Sequence, residues 1–140
     1  MNGFLLDTNV VSEPFKRNPS RRVFEWLQSA DEDRLFVSVL TLGELRKGIQ
    51  LADGRRKSTL ERWLERDLEP RFAGRILAIN SGIADTWGRL TAQSRRSGTV
   101  LPAVDGLLTA TAIRHDLTLV TRNLRHVPNA AVQVMNPWTD

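Results

Sequence analysis

Short apolar runs alternate along this chain with longer segments of helical periodicity. The short runs are bounded by polar or turn residues and cover Gly3–Leu6, 35–39, 76–79, Leu117–Val120 and 131–135. The longer segments cover Arg21–Ser29, 42–51, 58–68, 83–96 and 103–114. Strands that alternate with helices form parallel sheets whose faces the helices cover. The pattern therefore predicts an α/β fold with a mostly parallel sheet of about five strands.

The segment 58–68 shows the clearest amphipathic pattern, because Leu60, Trp63, Leu64 and Leu68 share one helical face. Asp53-Gly54 is typical of a turn and separates this helix from the preceding one. The chain contains no internal repeat, no low-complexity tract and no long linker. We therefore predict a single domain over residues 1–140.

Four polar residues from distant parts of the sequence are predicted at the carboxyl edge of the sheet. Asp7 directly follows the first strand, and Asn123 lies just past the fourth. Glu44 falls in the first turn of the predicted helix after the second strand, and Asp105 begins the helix that leads into the fourth. Because these helices run antiparallel to the strands, their N-termini collect at the carboxyl edge, where open α/β sheets bind ligands.

Other acids precede strands and belong to the opposite edge; these are Asp31, Glu32, Asp33 and Asp116. Each predicted site acid also has a structural interpretation. Thr41 and Glu44 fit a capping box, with Thr41 as the N-cap residue. Asp7 could cap a helix, and the helix dipole favours Asp105 in a first turn. Convergence of all three acids at one edge favours a functional site.

Three clustered carboxylates repel one another, by roughly 3 kcal/mol per pair at about 5 Å and an effective dielectric constant near 20. A divalent cation removes that repulsion. The chain has no Cys and only 2 His, so hard oxygen ligands dominate. Such ligands favour Mg²⁺ or Mn²⁺ over zinc. We predict that Asp7, Glu44 and Asp105 bind the metal ion.

The chain carries a net charge of +4, with 20 Lys and Arg against 16 Asp and Glu, which mildly favours nucleic-acid binding. Arg46, Lys47 and Arg122 lie beside the acids in sequence and are candidate ligands of a nucleic-acid backbone, although solvated or ion-paired side chains are an equal alternative. Thr8 and Asn9 follow Asp7 closely enough to hydrogen-bond the site.

The N-terminal sequence MNGFLLD lacks the basic start and long apolar run of a signal peptide, and no stretch approaches membrane-spanning length. The absence of Cys excludes disulfides and thiol nucleophiles and fits a reducing compartment. We therefore expect a soluble, cytoplasmic protein that contacts no membrane.

Four sequence motifs together resemble those of the PIN domain: LLDTNV at 5–10, SVLTLGELRKG at 38–48, AVDGLLTATA at 103–112 and LVTRN at 119–123. The closing NPW at 136–138 is similar to the C-terminal segment of many bacterial members. Each motif is weak alone, but four in order with this spacing are specific. The resemblance covers essentially the whole chain and points to VapC-type toxins of the FitB-like branch.

The resemblance implies a PIN-like three-layer fold and a Mg²⁺- or Mn²⁺-dependent endoribonuclease. Asp7, Glu44, Asp105 and Asn123 are then the catalytic residues, and water activated by the metal attacks the phosphodiester. The resemblance also implies a homodimer, inhibition by a VapB-type antitoxin and a hetero-oligomer with it.

One position departs from the pattern of this branch, because His126 stands where members often carry another acid. This keeps open a non-catalytic role as the dimeric partner of a DNA-binding antitoxin in a promoter-bound repressor. A phosphatase with an aspartyl nucleophile requires an acid where Asn9 stands. A dinucleotide-binding enzyme requires a glycine-rich turn after the first strand, and the sequence has none.

Overall fold

Five short parallel strands form one sheet at the centre of the molecule. The computed structural model describes residues 3–123 and 132–140. The strands are β1 (Gly3–Leu6), β2 (Leu35–Ser38), β3 (Ile76–Leu77), β4 (Leu117–Val120) and β5 (Val134–Met135). Their order across the sheet is β3-β2-β1-β4-β5, and every neighbouring pair is parallel. The predicted α/β class and parallel sheet are confirmed.

The helices lie between the strands in the predicted order. They are α1 (Thr8–Val11), α2 (Arg21–Ser29), α3 (Val39–Leu51), α4 (Gly54–Arg62), α5 (Glu69–Arg71), α6 (Ser81–Arg96) and α7 (Ala103–His115). Short 3₁₀ turns cover Glu13–Phe15 and Glu32–Arg34. Within the described residues, no helix is both long and apolar enough to cross a membrane.

Both faces of the sheet are covered, which gives the three layers that the resemblance implies. Successive side chains of a strand point to opposite faces. On β1, Leu6 accordingly packs in a core with Leu45 of α3 and Leu64, whereas Leu5 packs in a second core with Leu108 of α7. A parallel sheet buried on both faces needs continuous apolar strands, and the sequences of β1 and β4 meet this requirement.

Helix α3 begins at Val39, three residues before the predicted start, so the predicted capping box at Thr41 is wrong. The Oγ of Ser38 accepts a hydrogen bond from the backbone N–H of Leu40 at 3.0 Å and caps the helix at the end of β2. Thr41 is fully buried inside the helix. Glu44 consequently lies in the second turn of α3, not in the first.

The second helix of the central hairpin runs without a break from Gly54 to Arg71, because a π-helical segment (Trp63–Leu68) joins α4 to α5. The predicted turn at Asp53-Gly54 is confirmed, and Asp53 is the N-cap residue. The amphipathic face is also confirmed, since Leu64 and Leu68 are buried. The Trp63 ring meets the Phe15 ring edge to face, with centroids 4.5 Å apart.

We expect Gly3→Ala to lower the free energy of unfolding by about 1–3 kcal/mol. A Cβ atom at residue 3 would lie 2.6 Å from the backbone oxygen of Arg34, so β1 and β2 would have to separate. Denaturant unfolding measures the effect. Gly88→Ala is the matched control, because a Cβ atom there meets nothing within 4 Å and should stabilise α6 by about 0.5–1 kcal/mol. Equal stabilities of the two variants would contradict the close approach of the strands.

Candidate metal centre

Asp7 is a buried carboxylate at the carboxyl end of β1, with 7% of its surface exposed. Its backbone N–H donates to the carbonyl of Val120 at 3.0 Å, so strand pairing with β4 fixes its position. Its Oδ1 accepts from the backbone N–H of Thr8 at 2.7 Å, which also caps α1. Its Oδ2 accepts from the Oγ1 hydroxyl of Thr121 at 2.7 Å. Asp7 is therefore oriented by both of its carboxylate oxygens.

Thr8 connects Asp7 to Glu44. The Thr8 hydroxyl donates a hydrogen bond to Oε1 of Glu44 on α3, while the Thr8 backbone N–H binds Asp7. Two carboxylates from different elements thus share one residue. Both reside at the predicted edge of the sheet, and the predicted hydrogen bond from Thr8 to the site is present.

The third predicted acid, Asp105, influences the pKa of Asp7. Burial raises the pKa of Asp7, and the negative charges of Glu44 and Asp105 raise it further, against the lowering effect of the hydrogen bonds from Thr121 and Thr8. Asp105 lies in the first turn of α7, as predicted. Asp7 at the end of β1 therefore interacts electrostatically with the acids of α3 and α7, and their charges and its burial make its ionisation less favourable than in water.

The chemistry of the site suits a hard divalent cation. The oxygen of the Asn9 side-chain amide is buried two residues after Asp7 and has no hydrogen-bond partner. A buried oxygen without a partner and mutually repelling carboxylates are both groups that a bound cation stabilises. Among residues 3–123 and 132–140, no group of three or more His, Cys, Asp or Glu side chains is arranged to hold a metal ion. The donor groups fit Mg²⁺ or Mn²⁺ in chemical type, but the three predicted ligands do not form one coordination site in this structure.

Thr121 is a site residue that the sequence analysis did not single out. It directly follows β4, is 2% exposed, and its Oγ1 both donates to Asp7 and accepts from the backbone N–H of Asn123 at 3.1 Å. The Asn123 side chain is exposed, and its backbone is what links it to Asp7. In the sequence, Thr121 could have been identified as a site residue because it is a hydroxyl side chain directly after the fourth predicted strand. His126 lies outside the described residues.

The three predicted basic ligands differ in their surroundings. Arg46 forms ion pairs with Glu65 at 2.8 Å and with Glu61 at 3.6 Å, so the ion-paired alternative holds for it in this structure. Lys47 is exposed on α3. Arg122 is exposed, and its guanidinium lies 5.0 Å from the centre of the Trp138 ring.

Comparisons with known proteins agree with this geometry. The PIN domain family model matches residues 4–131. Toxin FitB from Neisseria gonorrhoeae is 39% identical over 97% of this chain and 99% of its own length. VapC ribonuclease Y4jK from Sinorhizobium fredii is 34% identical over 96% of each chain. The crystal structure of FitAcB from Neisseria gonorrhoeae superposes with a TM-score of 0.92 at 39% identity, covering 97% of this chain and 99% of the other.

We expect Asp7→Asn to raise the melting temperature in EDTA at neutral pH, with a gain on the order of 1 kcal/mol. Because the folded-state pKa of Asp7 is raised, its cost is present at high pH and disappears as the pH falls towards the ordinary value of 3.8. The gain should therefore shrink on acidification. Thermal melts across pH measure it, with Asp33→Asn at the opposite edge as the control. A lower melting temperature for Asp7→Asn at neutral pH would show that its charge is structural.

Thr121→Val should lower the free energy of unfolding by about 1–3 kcal/mol, because a buried carboxylate loses its donor. The same substitution should cost less in an Asp7→Asn background, where no charge is left unpaired. Chemical denaturation of the four proteins forms a double-mutant cycle that isolates this interaction. Additive effects would contradict the coupling between the two side chains.

Proposed function

Because this chain belongs to the PIN-domain family, we propose that it is the toxin of a type II toxin–antitoxin pair and acts as a metal-dependent endoribonuclease. A relative that matches nearly the whole chain is a toxin, and another is a ribonuclease. The single observation that carries the proposal is the buried Asp7 carboxylate, whose pKa is raised by burial and by the charges of Glu44 and Asp105. Such a group is suited to a cation.

Asp7 and Asp105 would bind the ion directly, and Glu44 would bind it or one of its waters. Asn123 would orient the surrounding shell. A bound Mg²⁺ or Mn²⁺ supplies an activated water and offsets charge on the phosphoryl oxygens. Hydrolysis of an RNA phosphodiester is the reaction that this chemistry supports.

The remaining site residues orient the Asp7 carboxylate or bind the RNA backbone. Thr8 and Thr121 fix the carboxylate of Asp7, so that its oxygens need little reordering when the ion arrives. Asn9, two residues after Asp7, has a buried and unpaired amide oxygen that would be available to the ion or its waters. Lys47 and Arg122 are exposed and bind the RNA backbone, whereas Arg46 reaches RNA only by exchanging its ion pairs.

A cognate VapB-type antitoxin inhibits the toxin in this proposal. A cavity of about 300 Å³ adjoins the acidic site, since Thr8 and Glu44 line one part of it. Large apolar side chains line much of the rest, together with the polar residues Ser12, Lys16 and Arg56; the apolar ones are Phe15, Leu45, Ile49, Leu60 and Trp63. An amphipathic antitoxin helix fits such a surface and would cover the site. The toxin would act in the cytoplasm as a homodimer and form a hetero-oligomer with the antitoxin.

Cleavage of purified RNA tests the proposal. We expect cleavage with Mg²⁺ or Mn²⁺, no cleavage in EDTA, recovery on Mn²⁺ addition, and a loss of at least about 100-fold in Asp7→Asn, since a ligand charge is removed. Asp33→Asn carries the same charge change at the opposite edge and should retain full activity. Cleavage that survives chelation would eliminate the metal mechanism.

A second candidate function is that of a non-catalytic partner of a DNA-binding antitoxin in a repressor complex. It is favoured because, in the described part of the chain, no three acidic or His side chains are arranged to hold a metal ion. Calorimetric titration of the wild-type protein with Mn²⁺ separates the two. Binding that is lost in Asp7→Asn supports the nuclease, and absence of binding at millimolar Mn²⁺ supports the repressor role.

A further inference from the structure

Three basic side chains gather around Trp138 in the C-terminal segment; we call Lys16, Arg22 and Arg122 the cation cluster. The Arg122 guanidinium lies 5.0 Å from the centre of the Trp138 ring, and the Lys16 Nζ lies 6.0 Å from it. Arg22 donates from Nη1 to the backbone carbonyls of Trp138 at 3.3 Å and Thr139 at 3.0 Å. One tryptophan and its backbone thus organise cations from three separate segments.

Glu13 is a buried carboxylate that holds one member of the cation cluster, Lys16. It is 4% exposed, forms an ion pair with Lys16 at 3.0 Å, and accepts a hydrogen bond from the backbone N–H of Ser20 at 2.8 Å. Burial raises the pKa of Glu13, but the Ser20 hydrogen bond and the charges of Lys16 and Arg122 outweigh it and lower the pKa. The lowered pKa keeps Glu13 ionised, and its ion pair holds Lys16 in position.

The cation cluster borders the acidic site on two sides. Arg122 directly follows Thr121, whose hydroxyl binds Asp7. Lys16 lines the same cavity as Thr8 and Glu44. Two members of the cluster are therefore close neighbours of residues in the acidic site.

The cluster keeps excess positive charge at the surface. Lys16 forms an ion pair with Glu13, whereas Arg22 contacts backbone carbonyls and Arg122 contacts the Trp138 ring. The Lys16 side chain is 45% exposed, and Arg22 and Arg122 are exposed. Arg17 and Arg21, also exposed, add charge in the neighbouring segment. Excess exposed charge of this sign attracts phosphates.

We propose that Trp138 is a positioning residue that holds Arg122 and Lys16 for binding two backbone phosphates of single-stranded RNA beside the carboxylate site. This inference rests on the proposed nuclease function and names the surface that guides its substrate. A protein partner is the weaker occupant, because the apolar surface that suits a peptide lies along Leu45, Ile49 and Leu60 instead. Phosphates also need compensating cations beside carboxylates that repel them.

The salt dependence of RNA binding tests the proposal. Fluorescence anisotropy with a labelled single-stranded RNA of mixed sequence is measured at fixed Mg²⁺, in an Asp7→Asn background to prevent cleavage. Each phosphate contact contributes about 0.7 to the slope of log K against log salt for single strands. Arg122→Gln should lower the slope by about 0.7 and weaken binding at low salt by about threefold to tenfold.

Trp138 is tested by its coupling to Arg122. Trp138→Leu should lower the slope by at least as much as Arg122→Gln, because it releases both Arg122 and Lys16, and the double variant should fall no further than Trp138→Leu alone. Trp138→Phe retains an aromatic face and should restore most of the slope. Arg89→Gln removes the same charge from an exposed ion pair on α6 and should leave the slope unchanged.

An unchanged slope in Arg122→Gln overturns the proposal and leaves the cluster to a protein partner. A normal slope in a folded Trp138→Leu overturns the positioning role. If Trp138→Leu does not fold, Arg122→Gln still tests the phosphate contact and Trp138→Phe tests the ring. A retained slope in Trp138→Phe supports positioning by an aromatic face, and a lost slope in folded Trp138→Phe overturns it. If the wild-type protein cleaves RNA but Arg122→Gln leaves the salt slope unchanged, this inference fails and the nuclease function stands. If RNA binding depends on the cluster but the wild-type protein does not cleave RNA, the nuclease function fails and the RNA-binding surface stands.

Discussion

The structure depends on the burial of one carboxylate at the end of the central strand. Asp7 is held by the backbone of Thr8, the hydroxyl of Thr121 and strand pairing with Val120, yet its ionised form remains disfavoured. These contacts orient the carboxylate without neutralising it. Two further acids approach from α3 and α7 and increase the cost. A buried carboxylate with a raised pKa beside other acids is typical of functional sites, and this cost to folding stability is the basis of the proposed cation site.

The sequence predicts the layout of the site because the layout follows from topology. Parallel strands that alternate with helices bring strand ends and helix N-termini to one edge, so Asp7 and Asp105 could be assigned to it from the order of elements. Their positions at the end of β1 and in the first turn of α7 agree with that reasoning. The two faces of the sheet could likewise be predicted from the apolar strands, since side chains alternate along each strand.

The details that escaped prediction depend on competition between local and tertiary contacts. Both Ser38 and Thr41 can cap a helix, and only the end of β2 decides that Ser38 does so. Arg46 could have faced solvent or a phosphate, and the packing of α3 against α4 brings it to Glu61 and Glu65 instead. Thr121 acquires its role from a carboxylate on another strand. Such choices involve free-energy differences of about 1 kcal/mol, too small to read from residue type.

The charges around the site form two regions with opposite tasks. In the proposed function, the carboxylates bind a cation but repel the phosphates of an RNA chain, and this repulsion is strongest where burial lowers the local dielectric constant. Positive charge must therefore lie close enough to attract the phosphates, yet apart enough not to pair with the acids. Glu13 and Trp138 meet this requirement, because the first fixes Lys16 through a buried ion pair and the second engages Arg122 through its ring. Within the described part of the chain, Arg46 has no contact of this kind, and its guanidinium instead forms ion pairs with carboxylates of the neighbouring helix.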